Sequence, residues 1–445
     1  MRLVILGGGG FRVPLVHSSL LGDPDRLVDE LVLHDVDPLR LKAITAVLDR
    51  QAAGAAWRPR LRTTTSLEEA VRGADVVFSA IRVGGLRGRT LDERVALGEG
   101  ILGQETVGAG GICYALRTIP VAMDIASTVD KLAPDAWLIN FTNPAGMVTE
   151  AMSAVLGDRV VGICDSPVGL CRRVANALGV PLERAGFDYV GLNHLGWLRA
   201  VRVNGHDRLP SLFADPAALT SFEEGKLFGA SWLRTLGAIP NEYLHYYYFA
   251  RETLAEVRHQ ETTRGEFLLA QQDQFYSKVL SAPDALELWE AVRQERENTY
   301  MAEGRAVADV GERDACDMDG GGYEQVALQL MTSIADNRPA TLILNVRNRA
   351  AVPGMDADAV VEVPCVVDGN GPRPIATDPL AEHGLGLMRR VKSCERAAIT
   401  AATTRSRDHA LLALGTHPLV DSVAAAERIL DGYIAAFPAL ADLNP

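Results

Sequence analysis

Apolar positions in the first part of the chain fall into short unbroken runs, each followed by a turn and then a helical repeat. The runs are Leu3 to Leu6, Glu30 to Leu33, Asp75 to Ile81, Trp137 to Phe141 and Val160 to Cys164. Runs that stay apolar at successive positions, rather than at every second one, are the mark of strands buried on both faces of a parallel sheet. Helices are expected over Val13 to Leu21, Ser66 to Val71, Leu116 to Leu132 and Ala145 to Leu156. Strand and helix in alternation predict an α/β fold with a doubly wound parallel sheet. The stretch 101–111, ILGQETVGAGG, is too rich in glycine for a packed helix and reads as a loop that lets backbone approach a ligand.

After about residue 190 the rhythm changes. A strand-like LRAVRVNG turns at Asn204-Gly205. An aromatic stretch follows at 241–249, then a charged helical region over about 277–303, β-rich segments at 340–347 and 359–367, and a helical end rich in alanine and leucine. This predicts two domains, 1–190 and 191–445, the second of α+β type, packed closely with a site between them. There is no internal repeat and no low-complexity linker.

Composition narrows the function. A chain of 445 residues, 48% hydrophobic, is long enough for a large core. A net charge of -13 argues against a nucleic-acid binder, although a few local arginines can still hold a phosphate. The six cysteines (Cys113, Cys164, Cys171, Cys316, Cys365 and Cys394) are dispersed without a CxxC pair. Neither a disulfide scaffold nor a zinc ribbon is indicated, and a reducing cytoplasm fits best. The N-terminal MRLVILGGGG lacks the features of a signal peptide, and no apolar run approaches the roughly 20 residues of a membrane span.

Two places carry candidate chemistry. The first strand meets Gly7-Gly8-Gly9-Gly10 and then a helix with Pro14 near its start. Strand, glycine loop and helix N-terminus form a dinucleotide-binding, Rossmann-like opening, with Gly7 to Gly10 and Phe11 toward the pyrophosphate. The fingerprint is imperfect: its third glycine position holds Arg12 counted from Gly7, or Val13 counted from Gly8. Asp35, at the end of the second strand, is placed to bind a ribose 2′-hydroxyl and so favours NAD over NADP. Arg82 and Asn140, on the third and fourth strand ends, are counted with the cofactor set. The second place is VVGICDSP, 160–167, which puts Cys164 and Asp165 where the ligand crevice of an open α/β sheet lies. Two readings are open there: a thiolate and carboxylate that bind a metal or move a proton, or a buried structural cysteine followed by a helix-capping aspartate.

Four segments taken together, GQETVGAGG (103–111), NFTNPAGMVTEA (140–151), ICDSP (163–167) and GLNHLGW (191–197), resemble glycoside hydrolase family 4, the NAD- and metal-dependent glycosidases that include 6-phospho-glucosidases. The likeness continues through PNEYLHYYYF, TTRGEF, LILNVRN and VVEVPCVV, nearly the whole chain. It implies a Rossmann-like domain with a second α+β domain, arranged as in lactate and malate dehydrogenases. It also implies a redox-assisted elimination: NAD+ takes a hydride from C3 of the sugar, a base removes the C2 proton, the aglycone leaves, water adds and the hydride returns. Cys164 and His194 match the metal-ligand positions, for Mn2+ or a similar ion. Tyr243 matches the base, and Glu105 an acid that raises its basicity. Arg89, Asn143 and Arg264 match sugar- or phosphate-binding positions.

The resemblance implies a phosphorylated small-molecule substrate, no nucleic-acid or membrane partner, and a homodimer or homotetramer. The sequence Cys164-Asp165-Ser166-Pro167 matches neither the Cys-Asn-Val-Pro of 6-phospho-β-glucosidases nor the Cys-Asp-Met-Pro of 6-phospho-α-glucosidases. The expected substrate is a 6-phospho-β-glucoside, with the α anomer or an unphosphorylated glycoside as the alternative. A plain 2-hydroxy acid dehydrogenase is disfavoured, because its histidine–aspartate pair and arginine pair are not found.

Overall fold

The computed structural model describes residues 1–310 and 322–444. Six parallel strands form its first half: β1 (Arg2–Leu6), β2 (Glu30–His34), β3 (Arg60–Thr64), β4 (Val76–Ser79), β5 (Trp137–Asn140) and β6 (Val160–Gly162). Their order is β6-β5-β4-β1-β2-β3, with β1 paired to both β2 and β4. This is a doubly wound sheet, whose ligand crevice opens at the carboxyl ends of β1 and β4, where the strand order reverses. Helices α1 (Val13–Leu21), α2 (Pro38–Gln51), α3 (Leu67–Val71), α4 (Gly85–Gly98), α5 (Gly108–Leu132), α6 (Ala145–Leu156) and α7 (Ser166–Ala177) cover the two faces.

The sheet does not stop at β6. The hairpin β7 (Gly186–Leu192) and β8 (Leu195–Val203), the edge pieces β9 (His206–Asp207) and β10 (Ile239–Pro240), and β11 (Ala340–Arg347), β12 (Val360–Asp368) and β13 (Gly371–Pro374) extend it antiparallel. The junction is narrow: Asn345 of β11 pairs with Gly162 of β6. A side chain at Gly162 would meet Thr149 Oγ1 at 2.5 Å and Asn345 Cβ at 2.8 Å, so the join needs glycine. Residue 190 lies inside β7.

Four elements differ from the sequence expectation. The polar strand β3, RLRTT, has no buried position and escapes an apolar search; a sheet edge tolerates such a strand. The charged stretch 85–98 forms α4, whose Arg89, Asp92 and Glu93 are buried through ion pairs. The charged region 277–303 is not one helix. Helix Arg264–Lys278 ends there, Pro283 follows, and helix Ala285–Asn298 begins.

The fourth is the glycine stretch. The loop ends at Val107, and Gly108 to Gly111 make the first turn of α5. A Cβ on Gly110 would lie 2.2 Å from Gln104 O, and one on Gly111 2.7 Å from the Thr106 carbonyl carbon. The glycines let the helix start against its own incoming loop. Helix α5 is also long and apolar enough to cross a membrane by length and composition, contrary to the expectation that no segment is; it lies mostly buried inside the protein. Of the cysteines, Cys113, Cys164, Cys171, Cys365 and Cys394 are free and buried, and Cys316 lies outside the described residues.

Candidate active site

One cavity of about 890 Å³ runs along the strand ends, from Asp35 and the glycine loop to Cys164, His194 and Tyr243. It sits near the top of the roughly 300–1,000 Å³ range of ligand pockets, so it has room for a large ligand beside a small one.

The glycines act mainly through close packing. Gly7 has φ +82°, and a Cβ there would lie 2.5 Å from Ala80 O; one on Gly8 would lie 2.7 Å from Leu33 Cβ, and one on Gly9 2.6 Å from Arg40 Cβ. Gly7, Gly10 and Phe11 line the cavity, whereas Gly8 and Gly9 face β2 and α2 instead. Asp35 accepts from Gly9 N and from Asp37 N, both at 3.0 Å. Those two bonds use one lone pair on each oxygen and fix the carboxylate at the cavity wall. The ring of Phe11 turns into the core, edge-on to Phe275 at 5.2 Å.

Asn140 stands apart. It is fully buried, donates to Thr142 O, Ala145 O and Thr149 Oγ1, and accepts from Thr142 N. It shapes the 142–145 turn and does not line the cavity, because every polar atom it has is already used by that turn. Asn143, at the turn itself, does line it.

At the middle of the cavity Glu105 sits between Arg82 (2.6 Å) and Arg89 (3.0 Å). Burial alone would lift this carboxyl, but Arg82 and then Arg89 outweigh it and hold its pKa at about 2. Glu105 is therefore an anion that anchors two guanidinium groups. The carboxylate joined to Tyr243 by hydrogen bonds is Glu242: Tyr300 OH lies 3.1 Å from Tyr243 OH and 3.4 Å from Glu242 Oε1. Farther in, Arg264 and Arg296 crowd together, with Arg264 donating to Arg296 O at 2.8 Å. Burial, then Arg89, lowers Arg264 to about 10; burial, then Arg12 and Arg264, lowers Arg296 to about 9. Cations that depress one another's protonation make a site for an anion.

Cys164 follows β6, and His194 occupies the β7–β8 turn at φ +61°. Strand β10 pairs with β8 and carries the chain to Tyr243, whose N–H is accepted by Asn241 Oδ1 at 2.9 Å. The Tyr243 and His194 rings then stack, with centroids 3.8 Å apart and planes 9° apart. Burial, then Glu242, pushes the Tyr243 phenol well above its ordinary value; burial lowers His194 to about 4.

A hydrogen-bond chain fixes the histidine tautomer. Gln104 Oε1 accepts from Thr106 N (2.6 Å), Val107 N (3.0 Å) and Thr106 Oγ1 (3.0 Å). The two backbone donors identify that Gln104 atom as the oxygen, so the hydroxyl proton of Thr106 points at it. Thr106 Oγ1, 3.1 Å from His194 Nδ1, must then accept, and Nδ1 carries the proton. The lone pair is left on Nε2.

Asp165 does not cap α7: its side chain makes no capping bond. It lines the cavity and pairs with Arg12 at 3.3 Å. Among the described residues no three His, Cys, Asp or Glu side chains converge as a metal cage, which leaves Cys164 and His194 as a two-donor pair with room for further ligands.

The pattern described as Family 4 glycosyl hydrolase matches residues 2–180, and that of the Family 4 glycosyl hydrolase C-terminal domain matches 189–420. The chain belongs to glycoside hydrolase family 4. It is 33% identical, over 99% of its own length and 97% of the other's, to a probable 6-phospho-β-glucosidase of Bacillus subtilis. The 6-phospho-β-glucosidase of Thermotoga maritima, solved with manganese, NAD+ and glucose-6-phosphate, superposes with a TM-score of 0.82 at 27% identity, covering 98% of both chains. A 6-phospho-α-glucosidase from gut microorganisms, solved with NAD and Mn2+, gives 0.80 at 27% identity, covering 98% of this chain and 97% of that one.

The family resemblance had not singled out Arg12, Thr106, Glu242, Arg296 or Tyr300. Arg12 left one trace in the sequence, as the residue that broke the glycine fingerprint. Thr106 and Glu242 lie inside segments that carry the resemblance, but the contacts that give them a role, to His194 and Tyr300, are distant in the chain; Arg296 and Tyr300 carry no local signal.

Proposed function

We propose that this family 4 enzyme hydrolyses 6-phospho-β-glucosides with NAD+ and a divalent ion, Mn2+ being the reference. The observation that carries the reading is the convergence, in one cavity, of a glycine loop at a helix N-terminus, a thiol and an imidazole, a buried tyrosine and a cluster of arginines. When bound, NAD+ supplies a reversible hydride acceptor and the ion supplies Lewis acidity toward the sugar oxygens.

The protein's own residues supply the rest. Asp35 and the amides at the start of α1 would hold the dinucleotide, which gives residues 1–190 the cofactor and much of 191–445 the sugar. Cys164 and His194 Nε2 would hold the ion: soft sulfur plus imidazole is a fitting donor pair, and two protein donors leave room for sugar oxygens. Tyr243 would take the C2 proton. Arg89, held by Glu93 and Glu105, and Asn143 would orient the sugar, and Arg264 with Arg296 would receive the 6-phosphate. A homo-oligomer in a reducing cytoplasm belongs to the same proposal. The test is direct. With NAD+ and Mn2+, p-nitrophenyl 6-phospho-β-glucoside should release nitrophenol without accumulating NADH, and faster than the α anomer or the unphosphorylated sugar. Stoichiometric NADH would overturn the reading.

The placement of Asp165 supports the β reading. An α-glycosidase of this kind uses the aspartate after the metal cysteine as acid, but here that carboxylate is engaged by Arg12. Asp165→Asn should therefore leave β-glucoside turnover within a few-fold of the parent. If Asp165 were the acid, kcat would fall by about 10²–10⁴.

The tautomer assignment gives a second expectation. Thr106→Val, which removes the acceptor, should weaken Mn2+ binding by about 10–100-fold, the usual effect of an outer-shell partner. Thr106→Ser should retain most of the affinity, as read by Mn2+ electron paramagnetic resonance titration. Equal affinity in the parent and Thr106→Val would refute it.

A further inference from the structure

Three aromatic side chains from three helices hold three backbone carbonyls of the glycine loop. Tyr276 OH donates to Gly9 O at 2.7 Å, Trp289 Nε1 to Phe11 O at 2.8 Å, and Tyr323 OH to Arg12 O at 2.8 Å. In a trans peptide the carbonyl and the next N–H point in opposite directions. Holding Phe11 O therefore aims Arg12 N–H the other way. Among the described residues, neither Phe11 N–H nor Arg12 N–H has a protein acceptor, whereas Gly10 N–H is spent on Gly7 O (2.8 Å). The free amides are at the start of α1, where an anion is favoured.

Two of these helices reach the other end of the cavity. Helix Arg264–Lys278 carries Tyr276 near its end and Arg264 at its start. Helix Ala285–Asn298 carries Trp289 and then Arg296, just before Tyr300, which meets Tyr243. Tyr323 begins helix Tyr323–Asp336 and lines the cavity itself. Arg264 bonds to Arg296 O, tying the first two helices together. A helix is a stiff rod, so a ligand that grips Arg264 and Arg296 sets the position of the donors that orient the loop.

We propose that Tyr276 and Trp289 are positioning residues that couple the sugar-phosphate end of the cavity to the dinucleotide loop, so that the two ligands bind cooperatively. This rests on the cofactor and substrate reading above. The cooperativity acts through hydrogen bonds on the loop carbonyls.

The experiment is NAD+ titration by intrinsic fluorescence or calorimetry, with and without glucose 6-phosphate, on the parent, Tyr276→Phe and Trp289→Phe. Tyr276→Phe keeps the ring and removes only the hydroxyl donor; Trp289→Phe removes the indole N–H and replaces the indole with a smaller ring. Glucose 6-phosphate should tighten NAD+ binding in the parent by at least 5-fold, the low end of usual coupling. By reciprocity NAD+ should tighten glucose 6-phosphate binding by the same factor. Each variant should lose about 5-fold in NAD+ affinity, the effect of one ordinary hydrogen bond, and its coupling factor should fall toward one. A purely structural role would shift the thermal midpoint while leaving the coupling factor unchanged, and that result in both variants would overturn the proposal. A parent that binds both ligands independently would also overturn it while the glycosidase reading stands; a parent that binds no NAD+ would defeat the glycosidase reading itself.

Discussion

Tyr243→Phe is expected to reduce glycoside turnover by about 10³-fold or more, toward the upper end of what a positioned general base contributes. The substitution is narrow. It keeps the ring stacked on His194 at 3.8 Å and removes only the hydroxyl that meets Tyr300. In the protein alone this phenol is a poor base, since burial and then Glu242 push its pKa well above the ordinary value. Its reactivity has to come from positive charge supplied when the site fills, and the cationic side chains of this cavity, Arg89 among them, already lie around it.

The variant should separate two steps. Hydride transfer does not need the phenol, so mixing Tyr243→Phe with NAD+, Mn2+ and substrate should still give absorbance of reduced cofactor. Release of the aglycone, and exchange of the C2 hydrogen with deuterated water, should stop. Turnover within tenfold of the parent would remove Tyr243 from the role of base and direct attention to Glu242, which burial, then Glu224, raises to about 7.

Much of this arrangement is legible in the sequence where burial is simple. The strands β1, β2, β4, β5 and β6 are apolar almost without interruption because both faces are covered, and that pattern is local. Helix α4 was illegible because its buried positions are charged: Arg89, Asp92 and Glu93 enter the core only with partners, and Arg117, which neutralises Asp92, lies far along the chain. Gly110 and Gly111 misled for a related reason, since what demands glycine there is the loop packed against the helix start.

The site shows the same division. Cys164, His194 and Tyr243 could be nominated by resemblance, and the structure brings all three to one cavity. What each neighbour does could not be read. The likeness paired Glu105 with the tyrosine, yet its carboxylate is spent on Arg82 and Arg89. Its place at a strand end put Asn140 with the cofactor, yet that side chain is engaged by the 142–145 turn and Thr149. Hydrogen-bond bookkeeping requires the partners, and the sequence does not contain their positions.

Removing the thiol should have the second large effect. Since no third His, Cys, Asp or Glu joins Cys164 and His194 among the described residues, each would carry a large part of the proposed metal affinity. Cys164→Ala should weaken Mn2+ binding by more than the roughly 100-fold that even an outer-shell partner can contribute. The pH dependence identifies the donor. Burial, then Glu362 and Asp165, raises the Cys164 thiol well above its ordinary value, so the free protein holds it protonated at working pH. His194, lowered to about 4 by burial, is already neutral there. Uptake of the ion by the thiolate would therefore expel one proton from sulfur, in addition to what Glu242 and Glu362, both raised to about 7 by burial, release near neutral pH.

Metal affinity should therefore fall as pH drops, with the thiol contributing about tenfold per unit, throughout the window above the His194 value and below that of the thiol. Below about 4 the imidazole also protonates and the dependence steepens. In Cys164→Ala the slope between pH 6 and 8 should flatten along with the loss of affinity, and both quantities come from one series of Mn2+ titrations. Weak binding that kept the one-proton slope would mean that the proton leaves another group, and the sulfur would lose its place as a ligand.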